Sequence, residues 1–357
     1  MNAKSYYDKG NTDFREGNLD SAIDNFSKAI EIDPEFYGSY YNRGNAYARK
    51  ERFDEAISDF TIALKLKPDF PQAHNNRGSA YINKGNYEKA LNDFSKAMEL
   101  NPNDPEAYYN RGSAYIDNVD EEKAIIDLTK AIELKPGFAE AYNNRGTAYS
   151  SLGELSKAID DFSKAIEFNP HHIGAYINRG TAYGLLPDMA KAISDFSRAL
   201  QINPNLTEAY NGRGVAYSNL NMQKDCIRDF SKAIELKPDY AEAYYNRARA
   251  YSITGEHSKA IQDYDTTISL KLCNPEIYHN RGTTYAVLGD FLKAIEDFGK
   301  AIELDNSFAE AYYNRGGIYL QMGNPHKALI DFNRALELKQ ELRPQLEPII
   351  TVLNSHL

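Results

Sequence analysis

The chain has 357 residues, 42% of them hydrophobic, and a formal net charge of −10. No apolar run is long enough to cross a bilayer, and phosphate binding requires a basic surface, so a membrane and nucleic acid are both disfavoured as partners. The N-terminal stretch MNAKSYYDKGNTDF does not have the basic-then-apolar pattern of a signal peptide, so we expect a cytoplasmic protein.

From Ala3 to Leu342 the chain repeats itself every 34 residues, in ten copies without insertion or deletion. The segment YYNRGSAY at 108–115 is a typical example of the most regular part of the repeat. Self-similarity at a period of this length indicates a repeat architecture. The first copy, which contains YYDKGNTDF, departs most from the others, as expected for a terminal repeat whose outer face meets water.

Six positions of each repeat carry the residues of a core. Counted from the first residue of a repeat, tyrosine recurs at positions 4 and 11, glycine at 8, alanine at 20 and 27, and an aromatic residue at 24. Positions 4, 8 and 11 share one face of a helix, and positions 20, 24 and 27 share one face of a second helix. Because glycine recurs near position 15, the sequence predicts two helices joined there by a turn.

The last residues, RPQLEPIITVLNSHL, follow the tenth repeat and do not continue the pattern. We expect a capping helix over 343–357, with Pro344 and Pro348 near its start, where proline is tolerated. The exposed apolar face of the last repeat would then be covered by Leu346, Ile349, Ile350 and Leu353.

This pattern resembles the tetratricopeptide repeat over residues 3–342. Tyrosine replaces the usual tryptophan at position 4, and arginine replaces the usual leucine at position 7. The resemblance implies an all-α fold: a right-handed superhelix, or α-solenoid, of ten helix-turn-helix repeats that forms one domain. It also implies that the first helices line a concave surface.

Position 7 is arginine and position 23 is aspartate in every repeat except the first, which has Lys9 and Asn25. The two positions have equal angular offsets from the seam between antiparallel helices, at similar heights. This geometry predicts an ion pair within each repeat, with Arg145–Asp161 as a typical example. Two alternatives are a pair with the aspartate of the preceding repeat and a solvated flank without fixed contacts.

Position 6 lies opposite the core and is asparagine in all of the last nine repeats except the one that contains Gly212. A carboxamide offers both donors and an acceptor, which suit a peptide backbone. The pattern resembles the asparagine ladder of the O-linked N-acetylglucosamine transferase family, which implies that extended polypeptide is held by its main chain. The alternative is that position 6 is tolerant and was inherited by duplication. The candidate peptide-binding residues are Asn42, Asn76, Asn110, Asn144, Asn178, Asn246, Asn280 and Asn314, with Tyr41, Tyr109, Tyr245 and Tyr313 at position 5.

First helices of adjacent repeats should lie about 10 Å apart, so each asparagine would engage roughly every third residue of an extended ligand. Near the end of this array, Arg249 and His279 form a local polar spot without a counterpart in the other repeats.

No phosphate loop, zinc-protease helix, nucleophile elbow or CxxC motif occurs. We therefore expect no enzymatic activity, no cofactor and no metal site. The sequence favours a non-enzymatic scaffold that binds a protein or peptide along its concave face. The alternatives are a structural organiser that self-associates as a homo-oligomer and a regulatory subunit of an enzyme encoded elsewhere.

Overall fold

A computed structural model describes residues 1–356, and all the regular secondary structure among them is helical. The chain divides into two compact units, residues 1–182 and 183–356. Each unit is a stack of helical hairpins, and each hairpin coincides with one repeat of the sequence. The predicted all-α solenoid fold is confirmed.

The first unit contains ten complete helices and the start of an eleventh. In chain order they are α1 (Ala3–Arg15), α2 (Leu19–Ile32), α3 (Tyr37–Arg49), α4 (Phe53–Leu66), α5 (Pro71–Asn83), α6 (Tyr87–Leu100), α7 (Pro105–Asp117), α8 (Glu121–Leu134), α9 (Ala139–Ser151), α10 (Leu155–Phe168) and α11 (Ile173–Leu185).

The second unit continues the same alternation of first and second helices. It contains α12 (Met189–Ile202), α13 (Thr207–Asn219), α14 (Gln223–Leu236), α15 (Ala241–Thr254), α16 (His257–Ser269), α17 (Pro275–Val287), α18 (Phe291–Leu304), α19 (Ala309–Gln321), α20 (Pro325–Leu338), a 3-10 turn (Gln340–Leu342) and α21 (Arg343–His356).

Each hairpin is held together by an aromatic ring that packs against a glycine. In the fifth repeat Phe162 is 1% exposed. A Cβ added at Gly146 would lie 2.7 Å from a ring carbon of Phe162, so glycine at position 8 makes the space that the ring fills. Ala158 and Ala165 flank the ring and are fully buried. Burying one such ring stabilises the fold by about 1.5–3 kcal/mol.

The turn between the two helices of a repeat requires a left-handed residue at position 15. Gly153 has φ +76°, and the non-glycine residues Glu51, Val119 and Asn221 have φ +59°, +56° and +59° at the same position. Glycine takes this conformation freely, whereas a β-branched residue such as Val119 is strained in it.

The C-terminal helix α21 packs on α20. Leu346 is fully buried and Leu353 is 8% exposed, and both lie in one apolar cluster with Phe332 of the last repeat. Pro344 is the second residue of α21, near the helix start as expected. Pro348 is the sixth residue, one turn further in than the sequence analysis predicted, and its ring removes a backbone hydrogen bond there.

Candidate functional site

The arginines at position 7 and the aspartates at position 23 form bidentate ion pairs inside individual repeats of each unit. Arg145 donates from Nε to Oδ2 of Asp161 and from Nη2 to Oδ1, both at 2.7 Å. Asp161 is only 5% exposed. Eight pairs have both partners in one unit, and all eight form: Arg43–Asp59, Arg77–Asp93, Arg111–Asp127, Arg145–Asp161, Arg213–Asp229, Arg247–Asp263, Arg281–Asp297 and Arg315–Asp331.

Seven of these eight arginines, all except Arg315, also bond to the position 25 side chain of the preceding repeat, a contact that the sequence analysis did not predict. Nη1 of Arg145 donates to Oγ1 of Thr129 at 3.0 Å. A serine or threonine occupies this position 25 in most repeats, 16 residues before the arginine, so the signal was present in the sequence. Burial acts to lower the pKa of Arg145, but the hydrogen bonds and charge of Asp161 outweigh it, and the pKa is raised. The charged arginine therefore links the two helices of its own repeat and also links that repeat to the preceding one.

The first repeat has no Arg–Asp pair, and its position 23 residue has a different partner. Asn25 donates to Oδ2 of Asp13 at 2.7 Å, and Ser21 donates to the same oxygen at 2.6 Å. The exceptional residues at positions 11 and 23 of this repeat therefore bond to each other, so Asn25 takes a partner other than the arginine of the later repeats.

The asparagines at position 6 bind the neighbouring repeat through their amide nitrogens. Each Nδ2 lies within hydrogen-bond distance of the position 5 side chain of the preceding repeat, 35 residues earlier. The eight contacts are Asn42–Tyr7 (3.1 Å), Asn76–Tyr41 (3.0 Å), Asn110–Asn75 (3.0 Å), Asn144–Tyr109 (3.5 Å), Asn178–Asn143 (3.1 Å), Asn246–Asn211 (3.2 Å), Asn280–Tyr245 (3.1 Å) and Asn314–His279 (2.8 Å). The donors of the ladder thus join adjacent repeats.

Fewer of the amide oxygens at position 6 have a hydrogen-bond partner in the protein. The Oδ1 atoms of Asn144 and Asn280 face Nδ2 of Asn143 and Nδ1 of His279. Within residues 1–356, the other six asparagines have no hydrogen bond to Oδ1, and none of these oxygens is buried without a partner. The oxygens available to a ligand are therefore those of Asn42, Asn76, Asn110, Asn178, Asn246 and Asn314.

Three of the four candidate tyrosines are acceptors for the next asparagine. Burial raises the pKa of Tyr41, Tyr109 and Tyr245, so these phenols remain protonated. Tyr245 also donates to Glu276 at 3.2 Å. Tyr313 belongs to the last repeat and lines a groove with Asn314.

The pairing of positions 5 and 6 is visible in the sequence once the contacts are known. Every repeat that precedes a ladder asparagine has tyrosine, asparagine or histidine at position 5. Ile177 has no hydrogen-bonding side-chain atom, and the repeat after it has Gly212 instead of asparagine. In the second unit, a Cβ added at Gly212 would lie 2.6 Å from the ring of Phe196, so the space for a larger side chain is already filled.

Several ladder residues line concavities between adjacent first helices. Asn76 faces a concavity of about 390 Å³ with Asn45 and Arg49. Asn280 and Asn314 line two more, of about 300 and 500 Å³. Depressions that follow the repeat are typical of surfaces that hold an extended chain.

The polar spot predicted around Arg249 and His279 is arranged differently from the expectation. Arg249 lines the 300 Å³ concavity together with His257 of α16, which sequence reasoning did not select. His279 is half-buried, with its ring 5.6 Å from that of Phe298. Burial lowers the pKa of His279, so its imidazole is held neutral.

Within the described residues 1–356, no group of three or more His, Cys, Asp or Glu side chains is placed to hold a metal ion. No helix in that range has the length and apolar character that a membrane span requires.

Family models match almost the whole repeat region. Models described as TPR repeat match residues 10–51, 44–85, 78–119 and 284–323. Models described as tetratricopeptide repeat match residues 105–138, 139–172, 173–206, 207–240, 230–262 and 309–342. No curated protein matches the sequence significantly.

Several solved structures are similar. A tetratricopeptide repeat protein from Parabacteroides merdae is 24% identical, with 66% of this chain and 93% of that chain covered and a TM-score of 0.52. The APC/C hetero-tetramer Cut9–Hcn1 is 12% identical over 99% of this chain and 96% of that chain, with a TM-score of 0.51. YrrB, described as a TPR protein with an unusual peptide-binding site, is 27% identical over 52% of this chain and 95% of that chain, with a TM-score of 0.43. The first two similarities establish the fold alone.

Proposed function

Because the chain belongs to the tetratricopeptide repeat family, we propose that it is a non-enzymatic scaffold that binds an extended segment of another protein along its first helices. Proteins built from such repeats present extended binding surfaces. The observation that carries the proposal is the row of asparagine oxygens that face no protein donor although they are not buried.

An amide oxygen accepts hydrogen bonds only, so its natural partner in an extended ligand is a backbone N–H. Such a bond is independent of the ligand's side chains and gives affinity without sequence selectivity. First helices lie about 10 Å apart and an extended chain rises about 3.3 Å per residue, so every third ligand amide meets one oxygen. The amide nitrogens, bonded to the preceding repeat, hold each oxygen in a fixed orientation.

The experiment separates ligand binding from stacking of the repeats. A random 12-residue peptide library displayed on phage is selected on the full chain, and the enriched peptides are measured by fluorescence anisotropy. One variant, Asn42→Ala with Asn76→Ala, loses two of the available ladder oxygens and four hydrogen bonds to the preceding repeats. The control, Tyr7→Phe with Tyr41→Phe, breaks two of these four bonds and keeps the asparagines and their oxygens.

We expect the alanine variant to bind the enriched peptides at least about tenfold more weakly, while the phenylalanine variant stays close to wild type. Unchanged affinity in the alanine variant, or an equal loss in both variants, would refute a role of the oxygens in binding. Failure of the wild-type chain to enrich any peptide would refute the proposed function as a whole.

A further inference from the structure

We infer that the segment bound by repeats 8 to 10 carries an acidic side chain about three residues from an apolar one. This inference rests on the proposed function and adds the chemistry of the partner. It comes from two adjoining concavities in the second unit: a polar pocket around Arg249 and an apolar groove around Leu320.

The polar pocket, of about 300 Å³, contains a cation without a counterion. Arg249 is the only charged residue at position 9 in the ten repeats. It has no ion pair within residues 1–356, and its guanidinium lies 5.7 Å from the ring centre of Tyr245. Glu276 accepts a hydrogen bond from the Tyr245 hydroxyl and forms no ion pair with Arg249. An unpaired guanidinium at a concave surface is suited to a carboxylate, which it can bind with two parallel hydrogen bonds.

Other polar groups line the same pocket at positions that are apolar in most other repeats. Tyr264 replaces the core phenylalanine, and Thr284 replaces the usual alanine and lies 3.1 Å from Ser252, oxygen to oxygen. The ring of His257 lines the pocket, and its Nδ1 is buried without a hydrogen-bond partner. The polar side chains of this pocket suit a hydrophilic ligand group such as a carboxylate better than an apolar one.

The apolar groove, of about 500 Å³, continues from the polar pocket, since Thr283 and Val287 line both. Val287 is 64% exposed and Leu320 is 37% exposed, and both belong to first helices. Ile349 of α21 contributes to the same groove. An aliphatic or aromatic ligand side chain would remove this surface from water.

The spacing of the two sites sets the spacing of the ligand residues. The pocket is built mainly on α15 and α17, and the groove on α17 and α19, so they are displaced by one repeat. One repeat corresponds to about 10 Å, or about three residues of extended chain.

The test uses the 12-residue phage library with a subtraction step. Peptides that bind the full wild-type chain are depleted on the Arg249→Ser variant, which places at position 9 the serine found in repeats 3 and 4. The same depletion on Arg15→Ser, which changes an exposed arginine of α1, is the control. Leu320→Ser tests the groove with a residue found at its position in repeats 5, 7 and 8.

We expect the peptides retained after subtraction to contain Asp or Glu about three residues from an apolar residue, in either direction. Their affinity should fall at least about tenfold in Arg249→Ser and in Leu320→Ser, and should be unchanged in Arg15→Ser. A lysine in place of the peptide's acid should restore binding to Arg249→Glu. If peptides are enriched by wild type but none depends on Arg249, or those that do lack an acid, the inference is wrong while the proposed function stands. If wild type enriches no peptide, the proposed function itself fails.

Discussion

Substitutions at Gly299 measure how much the hydrogen bond from an arginine to the preceding repeat contributes to stability. Arg315 is paired with Asp331, but the position 25 residue that it faces in the preceding repeat is Gly299, and its Nη1 has no hydrogen bond within the described chain. A Cβ added at Gly299 would lie 3.6 Å from Nη1, which is ordinary van der Waals contact. Serine at this position should therefore restore the bond that Ser95 makes with Arg111 at 2.9 Å.

The expected gain separates into two parts. Alanine in place of glycine inside α18 stabilises the helix by about 1 kcal/mol. Serine is a poorer helix former than alanine by about half that amount, but its hydrogen bond to a charged group adds about 1.5 kcal/mol at the low end of the usual range. We take the low end because the Arg315 side chain is 21% exposed. Gly299→Ser should thus gain about 2 kcal/mol and Gly299→Ala about 1 kcal/mol.

The assay is native-state hydrogen exchange of peptides from 291–338, because repeat proteins open locally. Exchange should slow about thirtyfold in Gly299→Ser and about fivefold in Gly299→Ala. The reverse change, Ser95→Gly, should speed exchange around α6 and α7 by a factor similar to the slowing in Gly299→Ser. If Gly299→Ser slows exchange only about twofold, and so less than Gly299→Ala, the hydrogen bond between repeats contributes nothing to stability.

Three further predictions follow from the same contacts. Val119→Gly should raise the thermal midpoint, since it relieves about 1–2 kcal/mol of left-handed strain, whereas Gly153→Val should lower it. Arg145→Leu should lose about 3–5 kcal/mol in urea unfolding because Asp161 is left buried and unpaired, and leucine at both positions should lose less; equal losses would contradict a buried pair. The lowered pKa of His279 means that the unfolded chain takes up its proton first, so stability should fall as pH drops below about 6.5. His279→Tyr should remove that part of the difference between urea midpoints at pH 7.5 and pH 5.5, and an unchanged pH dependence would count against it.

The ion pairs show which contacts the repeat pattern predicts and which it does not. Arg145 and Asp161 could be paired from helical angles alone, because positions 7 and 23 change together and lie near one seam. The bond from Arg145 to Thr129 was missed, since it depends on how one hairpin is set against the preceding one. The helical angles within one hairpin do not determine how that hairpin is placed against the preceding one.

The asparagines show the same division. Their position opposite the core followed from the helical period, and their binding role stays a prediction. The structure adds that the amide nitrogen of Asn76 bonds both Tyr41 and Asn45 of the preceding repeat, so only the oxygen remains for a ligand. Only part of the polar pocket could be predicted from the sequence. Arg249 could be selected because it departs from the repeat pattern, whereas His257 belongs to a second helix and lies near Arg249 only in the folded chain.

The sequence by itself determined the repeat length, the helical hairpin, its core residues and the partners within it. These follow from periodicity, because a helix converts spacing along the chain into a shared face. Tertiary structure decided which atoms of each polar side chain are occupied and which remain available, since that depends on contacts between residues 16 to 35 positions apart in neighbouring repeats.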